Sequence, residues 1–146
     1  MEELKQQMKV LLANVYATSI KAQYYHWNVT GPMFPMWHEF FGEFYEELHG
    51  SIDRIAEEIR TLDTFAPGSL SRFRELSTVS DEERINISPI EMIDQLCKDN
   101  DSIIDNLMKC NDLSESFKVV GLANFLQDRI DNHHKHKWML ESILKG

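Results

Sequence analysis

Between Trp37 and Leu62 apolar side chains recur at helical steps: Trp37, Phe41, Phe44, Leu48, Ile55, Ile59 and Leu62. That spacing puts them on one face of a single helix over roughly 34–62, about 43 Å long. A helix with so continuous an apolar stripe has to be covered by other helices, as in a bundle. A second face runs beside the first. At about 100° per residue, His38, Gly42, His49, Asp53 and Glu57 lie within roughly a 100° arc. A helix that merely covers a core carries Lys, Glu and Gln there. This one carries imidazoles and carboxylates, the donor set of a non-haem iron site.

Distance limits what these donors can do. His38 and Asp53 are fifteen residues apart in the sequence, which is about 22 Å along a helix, so one chain cannot offer both to one ion. Two copies of the helix paired antiparallel about a two-fold axis near Tyr45 and Glu46 would bring His38 of one chain to Asp53 and Glu57 of the other. The spacing therefore implies a site between subunits or no such site. The bland reading is a chance grouping: the chain has six histidines, and Asp-x-x-x-Glu is common on solvated helices.

The other segments also read as helices. Met8, Leu11, Leu12, Val15, Ser19, Ala22 and His26 mark the inward stripe of a first helix over 3–28, broken by Thr30-Gly31-Pro32. On spacing alone, His26 reads as a cap or core residue rather than a ligand, and Trp27 either packs near a site or fills the core. Thr64 to Ser69 is the next break, with Pro67-Gly68 as the turn and Ser69 as the N-cap of a short helix ending near Leu76. Residues 77–87 read as an acidic surface connection. Ser88-Pro89-Ile90-Glu91 is a capping box that starts the third long helix, with Ile93, Leu96, Ile103, Leu107 and Cys110 inward to about residue 110. Asp94, Asp99, Asp101 and Asp105 read as its solvated face. The fourth long helix covers 115–144 with Leu122, Phe125, Leu126, Ile130, Met139, Leu140 and Ile143 apolar. The expectation is an all-α, four-helix bundle with a short extra helix between the second and third helices, forming one domain over 1–146.

Composition adds exclusions. No run of about eighteen apolar residues is present and the N-terminus lacks a basic-then-apolar leader, which predicts a cytoplasmic protein with no membrane role. Cys97 and Cys110 are thirteen apart on one helix and cannot bridge each other there, so both read as free thiols. The net charge of −9 draws cations and repels phosphate backbones. With Lys5 and Lys9 balanced by Glu2 and Glu3 near the start, DNA binding is expected to be weak or absent.

The stretches HWNVTGPMFPMWHEFF, DRIAEEI and FAPGSLSRFRELSTVSDEE, with the C-terminal HHKHKWMLESIL, together resemble the Dps family, the mini-ferritins of starved bacterial cells. The resemblance spans nearly the whole chain. It implies a ferritin-like subunit in a hollow homo-oligomer, a dodecamer. Sites between two-fold-related chains would oxidise Fe(II) to Fe(III) with hydrogen peroxide or dioxygen and store the ferric mineral inside, protecting the cell from oxidative damage. The family's metal-ligand positions fall on His26, His38, Asp53 and Glu57, which carry both the metal and the catalysis. Asp128 and Asp131 become candidates for an acidic iron-entry pore.

One position departs from the family. An acid usually stands four residues after the second histidine; here that residue is Gly42. Either helices approach closely there, or a water, Glu39 or Glu46 replaces the carboxylate. Two alternatives follow. In one, a di-iron site lies inside each subunit on Glu46-x-x-His49 and Asp131-x-x-His134, spacings that suit the core motif of di-iron carboxylate bundles. In the other, Gly42 cripples the site and the shell sequesters metal without enzymatic activity. His133, His134 and His136 lie on different helix faces, so interface packing or hydrogen bonding suits them better than one shared ion.

Overall fold

The computed structural model describes all 146 residues and contains five helices: α1 (Glu2–Asn28), α2 (Phe34–Thr61), α3 (Leu70–Leu76), α4 (Pro89–Ser116) and α5 (Val120–Leu144). The four long helices pack as two hairpins, α1 against α2 and α4 against α5, joined face to face through α1 and α4, with the short α3 lying on α1. A long crossover carries the chain from α2 to α4, as in bundles with one such connection. The expected all-α architecture and its short extra helix are both present.

Local chemistry sets the helix ends. Ser88 accepts from the Glu91 backbone N–H while the Glu91 side chain accepts from the Ser88 N–H, a complete capping box, and Pro89 follows at the first turn. The Ser69 hydroxyl accepts from Arg72 N and starts α3. Between α1 and α2 the chain reverses at Gly31, whose φ of 101° is one that glycine adopts freely. Two boundaries differ from the sequence reading. Helix α4 runs six residues past 110, to Ser116, and α5 begins at Val120 rather than at 115. The break comes at Lys118, where φ is 58° and no proline or glycine announces it.

The core is built from the expected stripes: Leu4, Met8, Leu11, Leu12 and Val15 meet Phe41, Leu48, Ile55 and Ile59, with Ile93, Leu96, Ile103 and Leu107 opposite. Asp99 departs from its expected solvated place. It is buried and ion-paired at 2.8 Å with Lys21, also buried. On α1, Asn14, Thr18, Lys21 and Tyr25 form a buried polar row at steps of four, three and four. Asn14 pins the crossover by donating to Thr78 Oγ1 and accepting from the Thr78 N–H and the Ser77 hydroxyl. Tyr25 donates to Glu82 at 2.8 Å, so the acidic connection is anchored at two points. Cys97 and Cys110 are both free thiols; burial pushes the Cys110 thiol up to about 12.

Candidate metal centre

The reversal at Gly31 brings the end of α1 beside the start of α2, and with them His26 and His38. Their imidazoles stack with centroids 3.9 Å apart and planes 15° apart. His26 Nδ1 donates to the carbonyl oxygen of His38 at 2.6 Å, and His38 Nδ1 donates to that of His26 at 2.7 Å. A carbonyl oxygen can only accept, so each Nδ1 must carry its hydrogen. In the neutral rings each Nε2 then keeps its lone pair, the tautomer that a metal ligand needs. Phe34 stacks on the far side of His38 at 5.2 Å and holds that ring between two others. Because the ring planes are nearly parallel, their in-plane lone pairs cannot converge on one ion about 2.1 Å from each. One ion could therefore take at most one of the two Nε2 donors.

Gly42 lies directly beneath His26. A Cβ built there would fall 2.8 Å from His26 Cε1 and 2.9 Å from its Nδ1. Of the two readings of this glycine, close approach is the one the structure displays, the partner being a side chain rather than a helix backbone. Glu39 and Glu46 are both exposed.

Asp53 and Glu57 sit one turn apart and exposed on α2, and Arg54 between them pairs with Glu58 instead. They share α2 with His38, so the separation of about 22 Å along one helix holds. Within one chain no group of three or more His, Cys, Asp or Glu side chains gathers closely enough to hold a metal ion. The structure thus brings together His26 and His38 but not the carboxylates. Trp27, expected to pack, is 64 % exposed in the single chain.

The alternative site inside the subunit is not formed: Glu46, His49, Asp131 and His134 are all exposed, as is Asp128. A different polar group fills the space between α2, α4 and α5. Arg129 makes a two-pronged contact with Glu47 at 2.6 and 3.0 Å, and His136 Nε2 donates to the same carboxylate at 2.7 Å. The Arg129 guanidinium also donates to His133 Nε2 at 3.1 Å, which leaves His133 Nδ1 to donate to Asn100 Oδ1 at 2.7 Å. His133 is therefore a buried neutral imidazole. Hydrogen bonding, one of the roles expected of these histidines, is what His133 and His136 do.

These contacts set the response to acid. Burial and then the Arg129 charge hold His133 well below the usual imidazole range. Burial alone would raise the Glu47 carboxyl, but the bonds from His136 and Arg129 outweigh it and hold it well below the carboxylate range. Hydrogen bonds from Arg84, then Tyr25, bring Glu82 down to about 2 against an opposing effect of burial. All three groups have folded pKa values below their unfolded ones, so the unfolded chain binds more protons in the intervening windows and stability falls with pH. The His133 contribution begins to be lost as pH drops below about 6.5, and those of Glu47 and Glu82 begin to be lost below about 4.3. Asp99, which burial raises despite the Lys21 contact, holds its proton more tightly when folded and so offsets part of the loss above about pH 3.9. The urea midpoint is expected to fall on acidification from about pH 6.5 and more steeply below about 4.3; a midpoint unchanged between about pH 7 and 5 contradicts a neutral His133.

Known proteins place this architecture. The ferritin-like domain family matches residues 5–146. A DNA protection during starvation protein of Brevibacillus brevis is 30% identical over 146 residues, covering 97% of this chain and 97% of its own. The chain belongs to the Dps family. An uncharacterised low temperature-induced protein of Nostoc sp. is 36% identical over 136 residues, 92% of this chain and 76% of its own. The crystal structure of a Dps protein from Bacillus brevis superposes with a TM-score of 0.92 at 26% identity, covering 98% of this chain and 95% of that one. As a Dps-family chain this is in general terms an iron-storage mini-ferritin, and none of its helices is long and apolar enough to cross a membrane.

The sequence reading of this Dps chain passed over Glu47, Asn100 and Arg129. The signal was present on α5, where Leu122, Leu126, Arg129, His133 and Leu140 keep one helical stripe with a cation and an imidazole in apolar positions. Charged residues at such positions are buried only when paired.

Proposed function

We propose that this Dps chain oxidises Fe(II), with hydrogen peroxide as oxidant, at sites shared by two-fold-related chains, and stores the ferric product inside a dodecameric shell. The reciprocal Nδ1-to-carbonyl bonds of His26 and His38 carry this reading. They hold two imidazoles in the ligating tautomer, each with its Nε2 unspent. Asp53 and Glu57 of the two-fold-related chain supply the carboxylates, and these hard donors favour the ferric state. Antiparallel pairing of α2 is also consistent with the exposed apolar residues at both its ends: Trp27 and Met33 at 64% and 61%, Phe65 and Leu70 at 79% and 72%. Under the two-fold each end covers the other.

Two Fe(II) ions side by side suit a two-electron oxidant. Each gives one electron, the O–O bond of peroxide breaks, and two protons complete two waters, so no hydroxyl radical leaves the site. Water then hydrolyses Fe(III) to an oxyhydroxide, with acidic residues lining the shell as nucleation points. The chain's own task is to fix the imidazoles, set the carboxylates opposite and leave a position open for the oxidant. The net charge of −9 favours Fe²⁺ attraction and disfavours DNA, and a cytoplasmic location suits that chemistry. The passive-shell reading finds less support, because Gly42 accommodates an ordered ligand rather than leaving a gap.

Anaerobic titration tests this. The assembled shell is expected to consume about one peroxide per two Fe(II), the ratio of a paired site, much faster than free iron does. A rate equal to that of iron in buffer alone leaves only the passive shell.

A further inference from the structure

The contact between Gly42 and His26 carries a consequence for the imidazole pair that goes beyond filling space. We infer that Gly42 is a positioning residue: the absence of its side chain is what seats the His26 ring on α2, stacks it on His38 and fixes His26 as an Nε2 donor. In its functional part this rests on the ferroxidase reading; in its structural part it does not.

The local geometry is specific. With hydrogen as its only side chain, Gly42 is buried under His26, and a Cβ there would meet ring atoms at 2.8 and 2.9 Å. Those atoms are not the free end of a flexible chain. The ring is tied through Nδ1 to the His38 carbonyl and flanked by the His38 ring at 3.9 Å. With the ring held on both counts, a methyl group at position 42 would have to displace it from this seat. The bond that sets the His26 tautomer would break with it, and His38 would lose the ring that faces it opposite Phe34. The same contact explains why glycine, poor at helix interiors, is used in the middle of α2. It also excludes an aspartate here while His26 keeps its position. An acid at position 42 would therefore need the His26 ring seated elsewhere than it is in this chain.

The test uses the assembled shell with Gly42→Ala, Gly42→Asp, His26→Ala and the double variant His26→Ala/Gly42→Ala. In an exposed helix, alanine in place of glycine raises the melting temperature. Here Gly42→Ala is expected to lower it, whereas the same change made in the His26→Ala background is expected to raise it. That reversal of sign is the coupling a double-mutant cycle reads. Imidazole ¹⁵N spectra of the metal-free shell should show His26 as the Nδ1-protonated tautomer in the native chain and as a tautomer mixture in Gly42→Ala. Fe(II) oxidation should fall at least ten-fold in Gly42→Ala and Gly42→Asp, with no further loss when His26 is also removed. The inference is overturned if Gly42→Ala stabilises the shell to the same extent with and without His26, or if Gly42→Asp oxidises iron faster than the native chain. If the stability and tautomer results appear while His26→Ala leaves iron oxidation unchanged, the ring seat stands and the ferroxidase assignment fails.

Discussion

Replacing His38 with alanine is expected to slow peroxide-driven Fe(II) oxidation by on the order of a hundred-fold. Loss of a group that merely orients a metal ligand costs about 10–100-fold in affinity or activity, and His38 is proposed as a ligand itself. The change also removes the ring stacked on His26 at 3.9 Å, although the backbone carbonyl that orients His26 remains. His38 is only half-buried and lies outside the apolar core, so the shell should assemble normally, which makes the loss chemical rather than structural. Stopped-flow measurement at matched shell concentration checks it. Rates within about two-fold of the native chain would remove His38 from the ligand set.

The largest stability effect is expected at Lys21. Its side chain is 2% exposed and that of Asp99 7% exposed, with 2.8 Å between the charged atoms. Lys21→Met leaves the Asp99 carboxyl buried without its counter-charge, and breaking such a pair from one side costs about 3–5 kcal/mol. The lower end applies here, because burial already pushes the Asp99 carboxyl up and protonation limits the damage. Lys21→Met/Asp99→Leu removes both charges and fills the space with carbon. It should recover to within about 1 kcal/mol of the native chain or exceed it. Urea unfolding of the four chains of this cycle gives the coupling directly. A single variant that loses less than about 1 kcal/mol would mean that Asp99 finds water or another partner.

Much of the fold was legible in the sequence because apolar periodicity and capping are local. The stripe from Trp37 to Leu62, the capping box at Ser88 and the Gly31 reversal each act within a few residues, and each appears where expected. The break at Lys118 was not legible, since a left-handed lysine leaves no compositional mark. Asp99 was misread for a different reason. Spacing says which face a residue shares, but only the packing of α1 against α4 shows that Lys21 reaches it. The site divides in the same way. His38, Asp53 and Glu57 were recognisable on one helix face, and His26 through family resemblance. That Gly42 serves His26 depended on how closely α1 approaches α2, a distance that the sequence does not encode locally.

Mixed shells test the shared pocket most directly. A shell co-assembled from equal parts His38→Ala and Asp53→Ala chains contains dimers in which one of the two pockets combines an intact His38 from one chain with an intact Asp53 from the other. With random pairing, roughly a quarter of all pockets are whole. Each variant alone is expected to be nearly inactive, and the mixture to recover roughly a quarter of the native oxidation rate. A mixture no faster than its parents would show that histidine and aspartate act within the same chain or not together at all, and the account of a centre completed by its neighbour would be wrong.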